Sequence, residues 1–212
     1  MTDSHGPAEP STGPSDSGGP ADLTERVVDS RVVHKGHYMT FRVDTIERAD
    51  GSRGERDIVG HPGAVSILAV DDADRVLMVR QFRLAAGAAL LEIPAGTLDV
   101  DQATGATEDP DVASRRELEE ETGYRAGSWT KLGSFWTAPG FATELMHLYL
   151  ATDLEPADDD RLGPDEDEHL ELERVPFADA LAAAERGEIV DAKSLVGLFW
   201  IDRLRRDGRQ SR

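Results

Sequence analysis

The 212-residue chain contains no cysteine. Disulfides, thiolate zinc sites, iron–sulfur clusters and cysteine nucleophiles are therefore excluded together. Basic residues are scarce: 23 Lys+Arg stand against 42 Asp+Glu, a formal charge of −19. Nucleic acids and anionic membranes attract basic patches, so neither is an expected partner. A phosphate-bearing small molecule stays open, because a bound cation inverts the local field. Long apolar runs are also missing, and none approaches the ~18 residues of a membrane span. The first twenty-odd residues have neither a basic nor an apolar signal region, so the expected compartment is the cytoplasm. The six His show no HxxxH or HExxH spacing, and no zinc site is expected.

What is present is acid, and it is concentrated. Asp153 to Glu173 holds eleven acids against Arg161, a local charge of −10. Glu108 to Glu121 holds seven against Arg115 and Arg116, a local charge of −5. Runs of this kind are usually solvated loops, so the question is whether either has internal order. Asp158, Asp160 and Gly163 fit part of a calcium loop, but Leu162 and His169 occupy two ligand positions, and that reading fails.

Residues 1–22 are rich in Ser, Gly and Pro and hold no aromatic residue. They bury too little apolar surface to offset ordering entropy, and a disordered tail is expected. Alternating patterns predict strands in Arg26–Val33 and Tyr38–Ile46, and another in Arg56–Val59. Ala64–Val70 and Val76–Phe82 read as a hairpin around Asp71-Asp72-Ala73-Asp74, followed by a strand at Leu90–Ile93. Asp109-Pro110 predicts a helix start and Gly123 its end. Strands are expected at Trp129–Trp136, Met146–Ala151 and His169–Glu173, then two helices from Phe177 to Leu204. Strands, one acidic helix, strands, then helices suggest an α+β or mixed α/β sandwich.

Glu117, Glu120 and Glu121 stand at i, i+3 and i+4 of the acidic helix, within an arc of roughly 100°. Like charges at this spacing are destabilising unless compensated. The apolar residues Val112, Ala113 and Leu118 do not line one side, so an ordinary surface helix laid on a core is not expected. A solvated face with basic neighbours would compensate the acids. A hard divalent cation, which takes oxygen ligands and shares its shell with substrate phosphates, would do so too.

Glu108, seven further residues, then Arg116-Glu117-Leu118-Glu119-Glu120-Glu121-Thr122-Gly123-Tyr124 resembles the Nudix box, G-x5-E-x7-R-E-U-x-E-E-x-G-U with U apolar. The position of the first glycine is Gln102. The equivalent residue is Gly96 in Glu92-Ile93-Pro94-Ala95-Gly96, which implies a six-residue insertion within Asp101–Thr107. The resemblance implies an α/β/α sandwich with a mixed sheet over residues 61–206. It also implies an N-terminal β subdomain over 23–60 that dimerises the chain.

Within that family the chain resembles the ADP-ribose pyrophosphatase group. Arg56 to Val65, Val79-Arg80-Gln81-Phe82-Arg83, Glu92–Gly96, and Pro139 placed 16 residues after Gly123 match its local patterns in order. The implied activity is metal-assisted hydrolysis of ADP-ribose to AMP and ribose 5-phosphate. The resemblance assigns two or three Mg²⁺ or Mn²⁺ to Glu117, Glu120, Glu121 and the Ala95 carbonyl. It gives substrate contacts to Arg56, Arg83, Glu92 and Glu144. Arg116 would orient the carboxylates, and Glu108 would be structural or would support the metal ligands from behind. Glu120 counts as catalytic through its metal, and Glu166 or Glu168 would supply the general base. Tyr38, Phe41 and Trp136 are candidates to stack on adenine, although core packing is the expected fate of each. The partners implied are a nucleoside diphosphate sugar and a second copy of the chain. Alternatives are a pyrophosphatase for another nucleotide sugar or dinucleotide, and a catalytically silent ADP-ribose-binding module.

Overall fold

The computed structural model describes residues 22–158 and 169–208. Of the expected tail over 1–22 only Asp22 is described. Strands β1 (Glu25–Lys35), β2 (Thr40–Arg48) and β3 (Arg53–Gly60) form an antiparallel three-stranded sheet. Its β1 strand stays open to solvent, with Val27, Val32 and Val33 exposed.

A mixed seven-stranded sheet follows. It contains β4 (Ala64–Val70), β5 (Arg75–Arg83), β6 (Ala88–Glu92), β7 (Ala95–Thr97), β8 (Tyr124–Trp136), β9 (Leu145–Pro156) and β10 (Glu171–Pro176). The order is β10-β5-β4-β9-β8, with β6 on β5 and β7 on β4, and only the β4–β9 pair is parallel. Every residue of β4 is buried, as its nearly continuous apolar sequence requires of a strand covered on both faces. Leu68 and Val70 face one core with helices α2 (Phe177–Glu185) and α3 (Ala192–Arg206). Val65, Ile67 and Ala69 face a second core with α1 (Pro110–Thr122). The result is the α/β/α sandwich with an N-terminal β unit.

The two sheets are stitched at β3. The Val59 N–H donates to the Phe141 carbonyl at 2.7 Å, and the Thr143 N–H donates to the Val59 carbonyl at 3.0 Å. The His61 N–H donates to Thr143 Oγ1 at 2.8 Å. These bonds hold the loop after β8 against the N-terminal sheet, and a cleft opens between them.

Helix α1 corrects one expectation. Asp109 caps it, accepting from the Asp111 N–H at 2.8 Å, and Gly123 ends it with φ at 70°. Ala113 and Leu118 are fully buried against the second core, while Val112 is exposed. The helix is therefore laid on the core after all. The stripe that faces inward is completed by Ser114, Glu117, Glu121 and Thr122, which apolar counting leaves out. Tyr38 and Trp136 correct another, being 51% and 53% exposed rather than core residues.

Candidate active site

Helix α1 carries Arg116 at the centre of an acidic cluster. Arg116 Nη1 donates to Glu117 Oε1 and to Glu120 Oε2, both at 2.8 Å. Its Nη2 donates to Glu108 Oε2 at 2.9 Å. Burial works against the guanidinium charge, but Glu108, Glu117 and Glu120 outweigh it and raise the Arg116 pKa. Burial likewise opposes the Glu108 carboxylate, and Arg116 overrides it, leaving that pKa below its ordinary value. Glu108 also accepts from the Asp99 N–H at 3.3 Å. It thus ties the chain on both sides of the 101–107 loop, which closes on itself through a Val100–Thr107 bridge.

Glu121 is held separately, accepting from the Ala95 N–H at 3.0 Å. Gly96 is packed so closely that a Cβ there would collide with the Glu117 carboxylate. The β7 backbone and the α1 acids are therefore in direct contact, as a shared ligand set needs. Arg116 draws Glu117 and Glu120 to itself, and among the described residues no three His, Asp or Glu converge on one point. The donor chemistry nonetheless suits a hard cation: carboxylates on one helical face beside a backbone turn.

A cavity of about 590 Å³ opens beside this cluster, walled by Ala95, Gly96 and Thr97 on one side and Tyr38, His61 and Phe141 on another. Arg83, Glu92, Glu144 and Lys193 also line it. Arg83 grips Glu92 as a fork, Nε to Oε1 at 2.9 Å and Nη2 to Oε2 at 2.7 Å. Lys193 Nζ contacts the same Glu92 Oε2. Burial disfavours the Glu92 carboxylate, but the two cations overcome it and lower its pKa.

Glu144 accepts from Thr137 Oγ1 at 2.5 Å and lies 3.6 Å from His61 Nε2. The Gly63 N–H donates to His61 Nδ1 at 3.1 Å, which places the proton of the neutral ring on Nε2. Burial lowers the His61 pKa against the pull of Glu144.

The structure thus gathers Arg83, Glu92, Glu144 and Ala95 around one cavity, with Glu121 bonded to Ala95 and Glu117 packed on Gly96 behind its wall. Arg56 lies elsewhere, on β3, half-exposed and ion-paired with Glu25. Glu166 and Glu168 lie outside the described residues. Reading the sequence missed Lys193 and Phe141. Lys193 had a faint signal, a lone basic residue in the first turn of a helix whose next residues are apolar. Phe141 had none, because the packing of the 137–143 loop against β3 brings it in.

Comparison with known proteins agrees with this architecture. Residues 60–195 match the NUDIX domain, and residues 25–59 match the nucleoside diphosphate sugar hydrolase N-terminal domain. The ADP-ribose pyrophosphatase of Bacillus subtilis (strain 168) is 38% identical over 84% of this chain and 93% of its own length. The ADP-ribose pyrophosphatase of Mycobacterium tuberculosis (strain ATCC 25618 / H37Rv) is 37% identical over 81% of this chain and 80% of its own. A crystal structure of an ADP compounds hydrolase superposes with a TM-score of 0.74 and 24% identity, covering 91% of this chain and all of that one. With the box on α1, the β4–β9 parallel pair at the sheet centre and a family match over most of its length, the chain belongs to the NUDIX family of hydrolases.

Proposed function

We propose that the chain hydrolyses the pyrophosphate bond of ADP-ribose, releasing AMP and ribose 5-phosphate. The observation that carries this reading is the contact of the α1 carboxylates with the Ala95–Gly96 strand at the wall of the cavity. The substrate follows from the two ADP-ribose pyrophosphatases that are similar over most of this chain.

Glu117, Glu120, Glu121 and the Ala95 carbonyl would hold two or three Mg²⁺ or Mn²⁺. Bound there, the ions would screen the diphosphate and acidify a water molecule. Arg116 orients Glu117 and Glu120, donating to each at 2.8 Å. Arg83 offers a planar fork to a phosphate oxygen. Glu92 fixes that fork, and Glu144 is a hydrogen-bond acceptor for a sugar or base. Glu166 or Glu168 would take the proton from the attacking water.

Exposed Val27, Val32 and Val33 on β1 support a homodimer formed through the N-terminal sheets.

The test is AMP release from ADP-ribose with and without Mg²⁺, compared with Glu121→Gln at unchanged melting temperature. Metal-dependent release lost in the variant is expected. Turnover of another nucleoside diphosphate sugar, with none of ADP-ribose, would move the substrate. Mg²⁺-independent turnover would remove the metal role.

A further inference from the structure

We propose that Lys193 is a positioning residue: by sharing the buried Glu92 carboxylate with Arg83, it leaves the outer edge of the Arg83 guanidinium charged and fixed for the diphosphate of the substrate. The inference rests on the reading of the cavity as the diphosphate site and assigns a role to a residue that the Nudix box does not contain.

The geometry is a chain of ion pairs running from β5 to the start of α3. Glu92 is 1% exposed and Lys193 is 9% exposed. Both oxygens of Glu92 are taken by Arg83, and Oε2 is taken again by Lys193. Lys193 also pairs with Asp191 at 3.0 Å. Asp191 is itself fixed as the N-cap of α3, accepting from the Ser194 N–H at 3.0 Å and from Ser194 Oγ at 2.6 Å. Ser194 Oγ in turn accepts from the Ile93 N–H at 2.8 Å, next to Glu92 in the chain. Glu92, Lys193, Asp191 and Ser194 are each held from two sides, and Arg83 ends the chain at the cavity.

Arg83 has five N–H donors, and Glu92 uses only Nε and one on Nη2. Among the described residues Nη1 makes no hydrogen bond, and the side chain is 42% exposed at the cavity. That edge is what a phosphate oxygen would meet. The charges explain why Lys193 is needed. Arg83 and Lys193 balance Glu92 and Asp191, and the N-terminal end of α3 further offsets Asp191. Without Lys193 the same group carries −1 inside a protein already at −19, and Glu92 cancels the charge that Arg83 would present. An anionic substrate then meets a weaker cation on a looser mount.

The test is a double-mutant cycle. Lys193→Met should raise KM on the order of tenfold, with kcat within about twofold. Arg83→Met should raise KM at least as much. If Lys193 acts through Arg83, the double variant should match Arg83→Met alone, because the two changes remove one interaction. The Arg83 Nε–H resonance, identified by its loss in Arg83→Met, should be sharp in the wild type and broadened in Lys193→Met without any substrate. Multiplicative KM effects would overturn the proposal. So would a lower melting temperature with unchanged KM and an unchanged Arg83 resonance, which would make Lys193 a structural strut only. Should Lys193→Met fail to fold, Lys193→Gln carries the same cycle. If the wild type hydrolyses another nucleoside diphosphate sugar but not ADP-ribose, the proposed substrate falls. The cycle is then run on that compound, where matching KM values again support the role of Lys193 and multiplicative ones again overturn it.

Discussion

Two ion-pair clusters border the β6–β7 segment, and they are built with opposite signs. On α1 one cation, Arg116, serves three carboxylates, Glu108, Glu117 and Glu120. At the end of β6 one carboxylate, Glu92, serves two cations, Arg83 and Lys193. The first cluster keeps a surplus of negative charge next to Glu121. The second uses up its carboxylate and leaves the outer edge of a guanidinium at the cavity. A surplus of carboxylate is what a divalent cation neutralises, and a free guanidinium edge is what a phosphate oxygen accepts from. On the proposed reading, the two halves of a metal-bound diphosphate are matched by two clusters of inverted composition.

The comparison breaks first at the carboxylates. Glu117→Gln should lower kcat for ADP-ribose by roughly 10³-fold, the equivalent of several kcal/mol of lost transition-state stabilisation. Its stability without metal should change by no more than ~1 kcal/mol, because the Gln side-chain oxygen can still accept from Arg116, which keeps Glu108 and Glu120 as partners. Glu92→Gln should do the reverse in stability. It takes the shared carboxylate from buried Lys193 and from the partly exposed Arg83, at a cost of about 3 kcal/mol, the low end for a broken buried pair, or about 10 °C in melting temperature. Thermal melts without Mg²⁺ and AMP release with it separate the two. A large melting loss in Glu117→Gln would show that the acidic cluster is built for stability rather than for binding a cation.

A smaller effect is expected at Gly96. The atoms that an added Cβ would strike are the far end of the Glu117 side chain, so the backbone need not move. Gly96→Ala should therefore fold normally and lose about 10–100-fold in apparent Mg²⁺ affinity through a displaced Glu117. Titration of AMP release against Mg²⁺ reads this directly. An unchanged Mg²⁺ requirement would remove Glu117 from the ligand set.

These two predictions also mark what the sequence made legible. The spacing of Glu117, Glu120 and Glu121, the Asp109 cap and the Gly123 stop are local, and local signals survive folding. The middle strands are legible for the same reason, because Ala64–Val70 and Val76–Phe82 are apolar runs around a turn. The ends of β8 and β9 are not. Tyr124–Ser128 and Thr152–Pro156 pair mainly with each other and turn only Tyr124, Ala126 and Leu154 toward the core, an alternation too short to mark a strand. The Glu92–Lys193 pair spans 101 residues, and its meaning depends on α3 landing beside β6. No window of sequence holds both partners. The inward stripe of α1 escapes apolar counting because its polar members, Glu117 and Glu121, are buried by partners that only the fold supplies.

Acid should act on both clusters together. Burial opposes the charged forms of Glu92 and Glu108, but their cationic partners win and hold both pKa values below the ordinary 4.5. A carboxylate depressed in the folded state binds fewer protons there than in the unfolded chain. Its contribution is complete above pH 4.5 and is lost as pH falls through the depressed value. His61, lowered from 6.5 by burial, adds a loss of the same sign beginning nearer neutrality. Stability measured by denaturant should therefore decline gently below about pH 6.5 and steeply below about pH 4.5. Glu92→Gln should flatten the steep part more than Glu108→Gln, because Glu92 is the more deeply buried. A steep acid limb unchanged by either variant would place the acid-sensitive charges elsewhere.

The least effect is expected from the loop between Asp101 and Thr107. It interrupts the box, yet its backbone closes on itself: the Asp101 N–H donates to the Ala106 carbonyl at 2.9 Å, and the Asp101 side chain accepts from the N–H groups of Ala103 and Thr104. The flanking residues Val100 and Thr107 are already bridged, so a two-residue Asn-Gly turn in place of residues 101–106 can join them without moving either. Shortening a closed surface loop changes closure entropy by only about 1 kcal/mol. Glu108 should stay in place, because Arg116 and the Asp99 N–H hold its carboxylate independently of the loop. The shortened chain should keep kcat and KM within about twofold and its melting temperature within ~4 °C. A larger fall in kcat with an intact fold would mean that the loop, and not Arg116 alone, sets the position of Glu108, and the acidic cluster would then depend on a segment outside α1.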